Sequence, residues 1–309
     1  MKIAVLGPGG VGGLLAAVLT RSGEDVTVIA QESTARRIRE HGVRLSSVSF
    51  GEFTAHPRAV PALREGVEAL IVATKAAGLQ AALERVQVNP PVVLPLLNGL
   101  DHVAQLRERF PAETVLAGTI RVEADRPEAG VVLHTSPFLL VSMASSFPAS
   151  ATSMDALERA ISSAGVPVRV QLPISQRSEA EVMWSKLVRL NALACTTSAY
   201  DKLLGEIRST PSLRAELVSA IQEACAVAVA EGALDADPAL AIDELEKAHA
   251  TLGSSMQRDI AAGRAPELDA IPGSVLRAAA RHGLRAPTIE RLSSMIAERA
   301  GITPPVVRA

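Results

Sequence analysis

Lys186 lies in the stretch MWSKLVRLNALACTTSAY (183–200), a helical and mostly apolar pattern. At helical spacing its neighbours are Met183, Leu190 and Leu193, so its stem runs along an apolar stripe. Two kinds of lysine occupy such places. One covers the stripe with its stem while the ammonium reaches water. The other is partly desolvated and does chemistry, as a proton donor or as a cation beside developing negative charge. A second group stands at the N-terminus, where GPGGVG places Gly7, Gly9 and Gly12 at the G-x-G-x-x-G spacing, with Gly10 among them. Glycines at these intervals serve a tight turn, a close backbone approach to a pyrophosphate, and close helix–strand packing.

The glycines gain meaning from the elements that position them. The run IAVL (3–6) reads as a short buried strand, and an amphipathic helix follows over about 11–21. A helix opening there turns its unpaired N–H groups and positive dipole end towards phosphates. Strand, glycine loop and helix together predict a bound dinucleotide. A second strand, 25–30, ends at Gln31 and Glu32, where an adenosine ribose is read. An acid there bonds the 2′-hydroxyl of NAD, an arginine the 2′-phosphate of NADP. Glu32 points to NAD or is an exposed carboxylate, whereas Arg36 and Arg37, one turn on, can reach a 2′-phosphate. The strands 69–74 and 92–97 are apolar on both faces, as parallel strands covered by helices are. Ligands bind outside the carboxyl ends of such strands, which is where Lys75 and Asn98 fall. Their bland readings are a solvated lysine and a turn former before Gly99.

Shorter segments over 114–143, with RPEAG (126–130) read as a turn, suggest antiparallel pairing and a mixed sheet. A helix at 152–164 and a strand at 166–172 close this half. From about 175 only helices follow, at 176–199, 211–231, 238–250, 254–262, 271–282 and 287–300. The expected fold is α/β, an N-terminal Rossmann-type doubly wound domain (1–172) with a mixed sheet, followed by an all-α domain (173–309).

Bulk properties narrow the function classes. With 48% hydrophobic and 21% charged residues, the 309-residue composition is globular. A net charge of −2 with scattered basic residues, and 2% aromatics, argue against a nucleic-acid partner. No apolar run is long enough to span a bilayer, and no signal-peptide pattern precedes the first strand, so a cytoplasmic location is expected. Cys195 and Cys225 have no metal-ligand spacing and read as small buried hydrophobes; no metal is expected. The alanine-rich helix 215–230 offers a surface for a homodimer, or is an ordinary core helix.

To the glycine loop the chain adds TKA (74–76), NGL (98–100), WSKL (184–187) and SSMQRDIAAGRAPELDAIPG (254–273). With these it resembles the ketopantoate reductase (2-dehydropantoate 2-reductase) family over nearly its whole length. The resemblance implies a Rossmann domain plus a helical domain. It also implies NADPH-dependent reduction of a 2-oxo acid to a 2-hydroxy acid, in pantothenate biosynthesis. The family's catalytic lysine falls on Lys186 and its substrate-binding glutamate on Glu267. Ser255 matches the serine that holds the substrate carboxylate, and Asn98 the asparagine near nicotinamide and substrate. Lys75 matches a lysine beside the cofactor, and Gln31 stands where the usual 2′-phosphate arginine would be. Gly7, Gly9, Gly10, Gly12, Gln31, Lys75 and Asn98 are thus the expected cofactor residues, for NADP with NAD as the alternative.

Two further positions depart from the family pattern. Its asparagines four and eight residues after the lysine are replaced by Leu190 and Ala194, and Asn191 is rotated roughly 140° from Lys186. An apolar pair cannot supply amide hydrogen bonds to a polar substrate. The alternatives are therefore the same hydride chemistry on a less polar oxo acid or ketone, and a non-catalytic NAD(P)-binding sensor.

Overall fold

A computed structural model describes residues 1–307; residues 308 and 309, the end of the expected all-α domain, lie outside them. The chain divides into two compact units, Met1–Leu97 with His102–Val182, and Asn98–Asp101 with Met183–Ala309.

The first unit is built on five parallel strands. β1 (Lys2–Leu6) pairs with β2 (Asp25–Ile29) on one side and with a later strand, Ala69–Val72, on the other. Between β1 and β2 runs α1 (Gly10–Arg21), and α2 (Glu32–His41) follows β2. A hairpin, β3 (Val43–Ser47) and β4 (Gly51–Ala55), precedes β5 (Arg58–Val60); the strand Ala69–Val72 is β6, and β7 is Val93–Pro95. The order β5-β2-β1-β6-β7 reverses direction at β1, a topological switch point. Alternation explains the double winding. Ile3 and Val5 enter one apolar core with α1, while Ala4 and Leu6 enter another with Leu70, Val72 and Leu106. All four side chains are at most 1% exposed, so burial on both faces supports an unbroken apolar strand.

The helices α3 (Leu79–Leu83) and α4 (Asp101–Arg109) had no sequence expectation. α3 is a single turn, and α4 buries only His102 and Leu106, too narrow a stripe to stand out. Mixed pairing is present, carried by two further sheets beside the parallel one. β8 (Ala117–Arg121) runs antiparallel to β11 (Leu140–Ala144), which is parallel to β12 (Val168–Val170), with α5 (Ala151–Ser163) between the last two in sequence. The order β4-β3-β10-β9 joins the hairpin to β9 (Ala124–Glu128) and β10 (Val131–His134). RPEAG is therefore not all turn. Arg126–Glu128 finish β9, where an edge position tolerates Pro127 because its missing N–H faces no partner strand. This sheet covers α1, the helix behind the glycine loop.

His134 closes β10 and is buried, 1% exposed. Ser136 Oγ donates to the Phe138 carbonyl, so it accepts from His134 Nε2, and Ser47 Oγ donates to Nδ1 at 2.8 Å. Both ring nitrogens are thus satisfied by a neutral imidazole. Burial holds the His134 pKa below its ordinary value. The unfolded chain then binds a proton near pH 6.5 that the folded chain refuses, so stability falls as pH drops below that point. Thermal melts between pH 7 and 5.5 should show this loss, with a slope of at most about 1.4 kcal/mol per pH unit from this group. His134→Gln should flatten the slope; equal slopes would refute the assignment.

α6 (Gln176–Tyr200) begins in the first unit and continues in the second. The second unit then adds α7 (Leu204–Ser209), α8 (Pro211–Ala230), α9 (Pro238–Lys247), α10 (Ser255–Ala261), α11 (Ser274–Arg281) and α12 (Pro287–Ala300). α8 buries Leu217, Ala220, Ile221 and Ala224 and contacts α7, α9, α11 and α12, so its alanine-rich stripe is core within this unit. The helix expected at 271–282 instead starts at Ser274, after a π-helical turn, Asp269–Gly273. Pro272 lacks the N–H of a regular turn, and the bonds run Ile271 N to Glu267 O and Gly273 N to Leu268 O. No described helix is long and apolar enough to cross a membrane.

Candidate active site

In the first unit the glycine loop fills the gap between the carboxyl end of β1 and α1. Gly7 has φ +88°, accessible without strain only to glycine, and its N–H bonds Ile29 O at 3.1 Å. A Cβ on Gly12 would lie 2.2 Å from Gly7 O, and one on Gly10 would lie 2.1 Å from Ala124 O. These two serve packing of α1 against its own loop and against β9. Gly13, which the motif does not single out, does the same against β10, since its Cβ would meet Val132 at 2.5 Å. Paired glycines inside a helix cost stability, and that cost was the available signal. Gly9 differs. Its nearest neighbour beyond the loop is Ala73 O at 4.0 Å, so it leaves open space where the others are filled. It is the N-cap of α1 without a side-chain cap, and no acid stands in the first turn. A helix start of this kind suits a phosphate group. Beside it, after β6, Thr74 Oγ1 is buried with no hydrogen-bond partner. An orphaned hydroxyl and an open glycine fit a bound cofactor better than a ligand-free turn.

The ribose-reading end is less committed. Gln31 is the exposed N-cap of α2. Glu32 Oε1 accepts from Arg39 Nη2 at 2.7 Å, and Arg37 bonds Glu128 at 2.8 Å, so both are engaged within the unit. Arg36 is exposed. Lys75 is exposed at the start of the 3₁₀ turn Ala76–Gly78.

The second unit assembles three of the expected site residues. Lys186 is half-buried on α6, with Met183, Trp184 and Leu187 buried around it. Its Nζ donates to Asn98 Oδ1 at 2.7 Å, and Asn98 Nδ2 donates to Glu267 Oε2 at 3.0 Å. The amide is thereby oriented, since only its oxygen can face an ammonium and only its nitrogen a carboxylate. Asn98 thus links Lys186 to Glu267. Glu267 precedes the π turn, and Gly99, at φ +89°, lies so close to that turn that a Cβ would be 2.1 Å from Ala270 O. Ser255 opens α10, half-buried, next to the N-cap Ser254, whose Oγ accepts from Thr197 on α6 at 2.9 Å. Among the described residues Ser255 makes no hydrogen bond with the trio. Leu190 is half-buried and Ala194 fully buried, on the Lys186 side of α6. Both cysteines are free and buried, and burial pushes the Cys225 thiol up to about 11 and raises Cys195 as well. Neither is a ready nucleophile.

The model of the family described as ketopantoate reductase PanE/ApbA matches residues 3–142, and its C-terminal counterpart matches 180–300. The chain belongs to the ketopantoate reductase family. It is 31% identical over 297 residues to the uncharacterized oxidoreductase YkpB of Bacillus subtilis, covering 94% of this chain and 96% of that one. It is 28% identical to the 2-dehydropantoate 2-reductase of Halobacterium salinarum, covering 96% and 98%. The fold is also that of a D-mandelate dehydrogenase solved with NADH and anilino(oxo)acetate, at TM-score 0.87 and 22% identity over 97% of this chain and 99% of that one. The Ralstonia eutropha PanE/ApbA ketopantoate reductase aligns at TM-score 0.84 and 24% identity, over 97% and 99%. As a member of this family the chain is an NAD(P)-dependent oxidoreductase. Gly9, the first turn of α1 and Thr74 fit the cofactor's phosphates, with NADP as the cofactor and NAD as the alternative.

Proposed function

We propose that this chain reduces a 2-oxo acid to the 2-hydroxy acid, with Lys186 as general acid. The observation that carries the reading is the bonded series Lys186–Asn98–Glu267. Bound NAD(P)H supplies a hydride to the keto carbon. Negative charge then grows on the carbonyl oxygen, and the Lys186 ammonium stabilises it and delivers the proton. Asn98 Oδ1 stabilises the charged lysine and fixes its direction. Glu267 anchors the amide and offers its carboxylate to a substrate hydroxyl, while the Ser255 hydroxyl is assigned to the substrate carboxylate. Gly9, Gln31, Lys75 and Asn98 are assigned to the cofactor, with Gly7, Gly10 and Gly12 shaping the loop that receives it.

Leu190 and Ala194 support a second, narrower reading, in which the oxo acid carries an apolar side chain. The fold itself is neutral on this point, because one architecture hosts many substrates. A panel of 2-oxo acids with NADPH and NADH, followed by loss of reduced-nicotinamide absorbance, tests both readings. We expect kcat/KM for an apolar 2-oxo acid to exceed that for 2-dehydropantoate by about 10- to 100-fold, the discrimination available to an apolar pocket. Preference for 2-dehydropantoate would refute the narrower reading and place the chain in pantothenate biosynthesis. Tight cofactor binding without turnover of any member would refute both readings.

A further inference from the structure

Asn98 can hold Lys186 and Glu267 together only if two separate backbone segments keep their distance. One is the segment Asn98–Asp101, which is grouped with the helical unit although in sequence it follows β7 and ends on the first residue of α4. The other is the segment leading from Glu267 into the π turn. Arg277, on α11, is bonded to both. Its Nη2 donates to Asp101 Oδ2 at 2.6 Å, and its Nη1 donates to Asp269 Oδ1 at 2.8 Å. Nη2 also donates to the Asp269 carbonyl at 2.8 Å. Asp101 stands three residues after Asn98, and Asp269 two after Glu267. The guanidinium side chain is 20% exposed, and Gly273 makes room for it, since a Cβ there would lie 3.2 Å from Nη1.

We propose that Arg277 is a positioning residue for the reaction, clamping the loop that carries Asn98 to the segment that carries Glu267. A planar fork with several donors can grip two carboxylates and a carbonyl at fixed angles, which an ammonium cannot. The close contact of Gly99 with Ala270 is a second, backbone fastening of the same two segments. Without the clamp the Asn98 amide loses its fixed place, and Lys186 loses the acceptor that directs it. Small misplacements of a catalytic group are costly to rate even when binding is intact.

This inference rests on Lys186 as proton donor, so Lys186→Ala is the control in the same assay. Arg277→Met should lower kcat by about 10- to 100-fold, as a misplaced catalytic group does, with the KM for NAD(P)H and the melting temperature nearly unchanged. Arg277→Lys should recover part of the loss. Asp101→Asn should lower kcat in the same direction, and the double variant should be no worse than Arg277→Met alone, because that change already removes the Asp101 contact. Asp101→Asn also carries the test if Arg277→Met does not fold. An unchanged kcat, a loss that tracks melting temperature, or fully additive effects would overturn the proposal. If Lys186→Ala itself left turnover intact, the general-acid reading would fail instead.

Discussion

Lys186→Ala should lower kcat for an accepted 2-oxo acid by about 10²- to 10⁴-fold, the usual contribution of a positioned general acid. The cofactor dissociation constant should stay nearly constant, because the ammonium is assigned to the substrate carbonyl rather than to the cofactor's phosphates. The loss should appear equally in kcat and kcat/KM if the ammonium acts chiefly in the transition state. Lys186→Arg separates charge from proton donation. A guanidinium keeps the positive charge but does not give up a proton at neutral pH, so it should restore only the electrostatic share. Steady-state kinetics with a titration of NAD(P)H decide the matter. Unchanged turnover in Lys186→Ala would sink the assignment and leave the lysine as a cover for its apolar stripe.

The second large effect concerns the glycine loop, where two substitutions that look alike should behave differently. Gly12→Ala adds a methyl group 2.2 Å from Gly7 O, a backbone atom that cannot move without displacing the loop. Alanine is the better helix former by about 1 kcal/mol, but overpacking costs about 1–3 kcal/mol and should win. Thermal stability and cofactor affinity should fall together. Gly9→Ala meets nothing closer than Ala73 O at 4.0 Å, at an ordinary φ of −76°. Its melting temperature should stay near that of the unmodified chain. Cofactor affinity should nevertheless fall at least about tenfold, equivalent to about 1.4 kcal/mol, because the methyl group occupies the space left for the phosphates. Calorimetric titration with NADPH and NADH, beside thermal melts, reads both quantities. Intact affinity in Gly9→Ala would remove Gly9 from the cofactor site.

Much of this architecture can be read from local patterns. β1, α1 and β2 follow from an apolar run, a glycine-spaced turn and a helical stripe, each set by near neighbours in sequence. α8 and α12 are each opened by a proline at the first helical position, and α12 carries a clear apolar stripe. The strand β9 and the π turn were not readable. β9 takes Pro127 only because it lies on an edge, and strand order is a property of the assembled sheet. The π turn is favoured by Pro272, but its bonding pattern depends on the segment packed against it at Gly99.

By itself the sequence determined the chemistry available to this protein. It supplied a dinucleotide loop, an ammonium in an apolar helix, a carboxylate before a proline-glycine turn, and Leu190 and Ala194 in place of polar partners. The loop and the ammonium are properties of residue types and of spacings within one element, whereas Glu267, Leu190 and Ala194 stand out through the family resemblance. The tertiary structure alone decided that Asn98 stands between Lys186 and Glu267, with its loop grouped among helices that begin some 80 residues later. It also decided that Arg277 reaches Asp101 across 176 positions. Contacts of that separation arise when distant segments bury a common surface, and no local periodicity records which segments those will be.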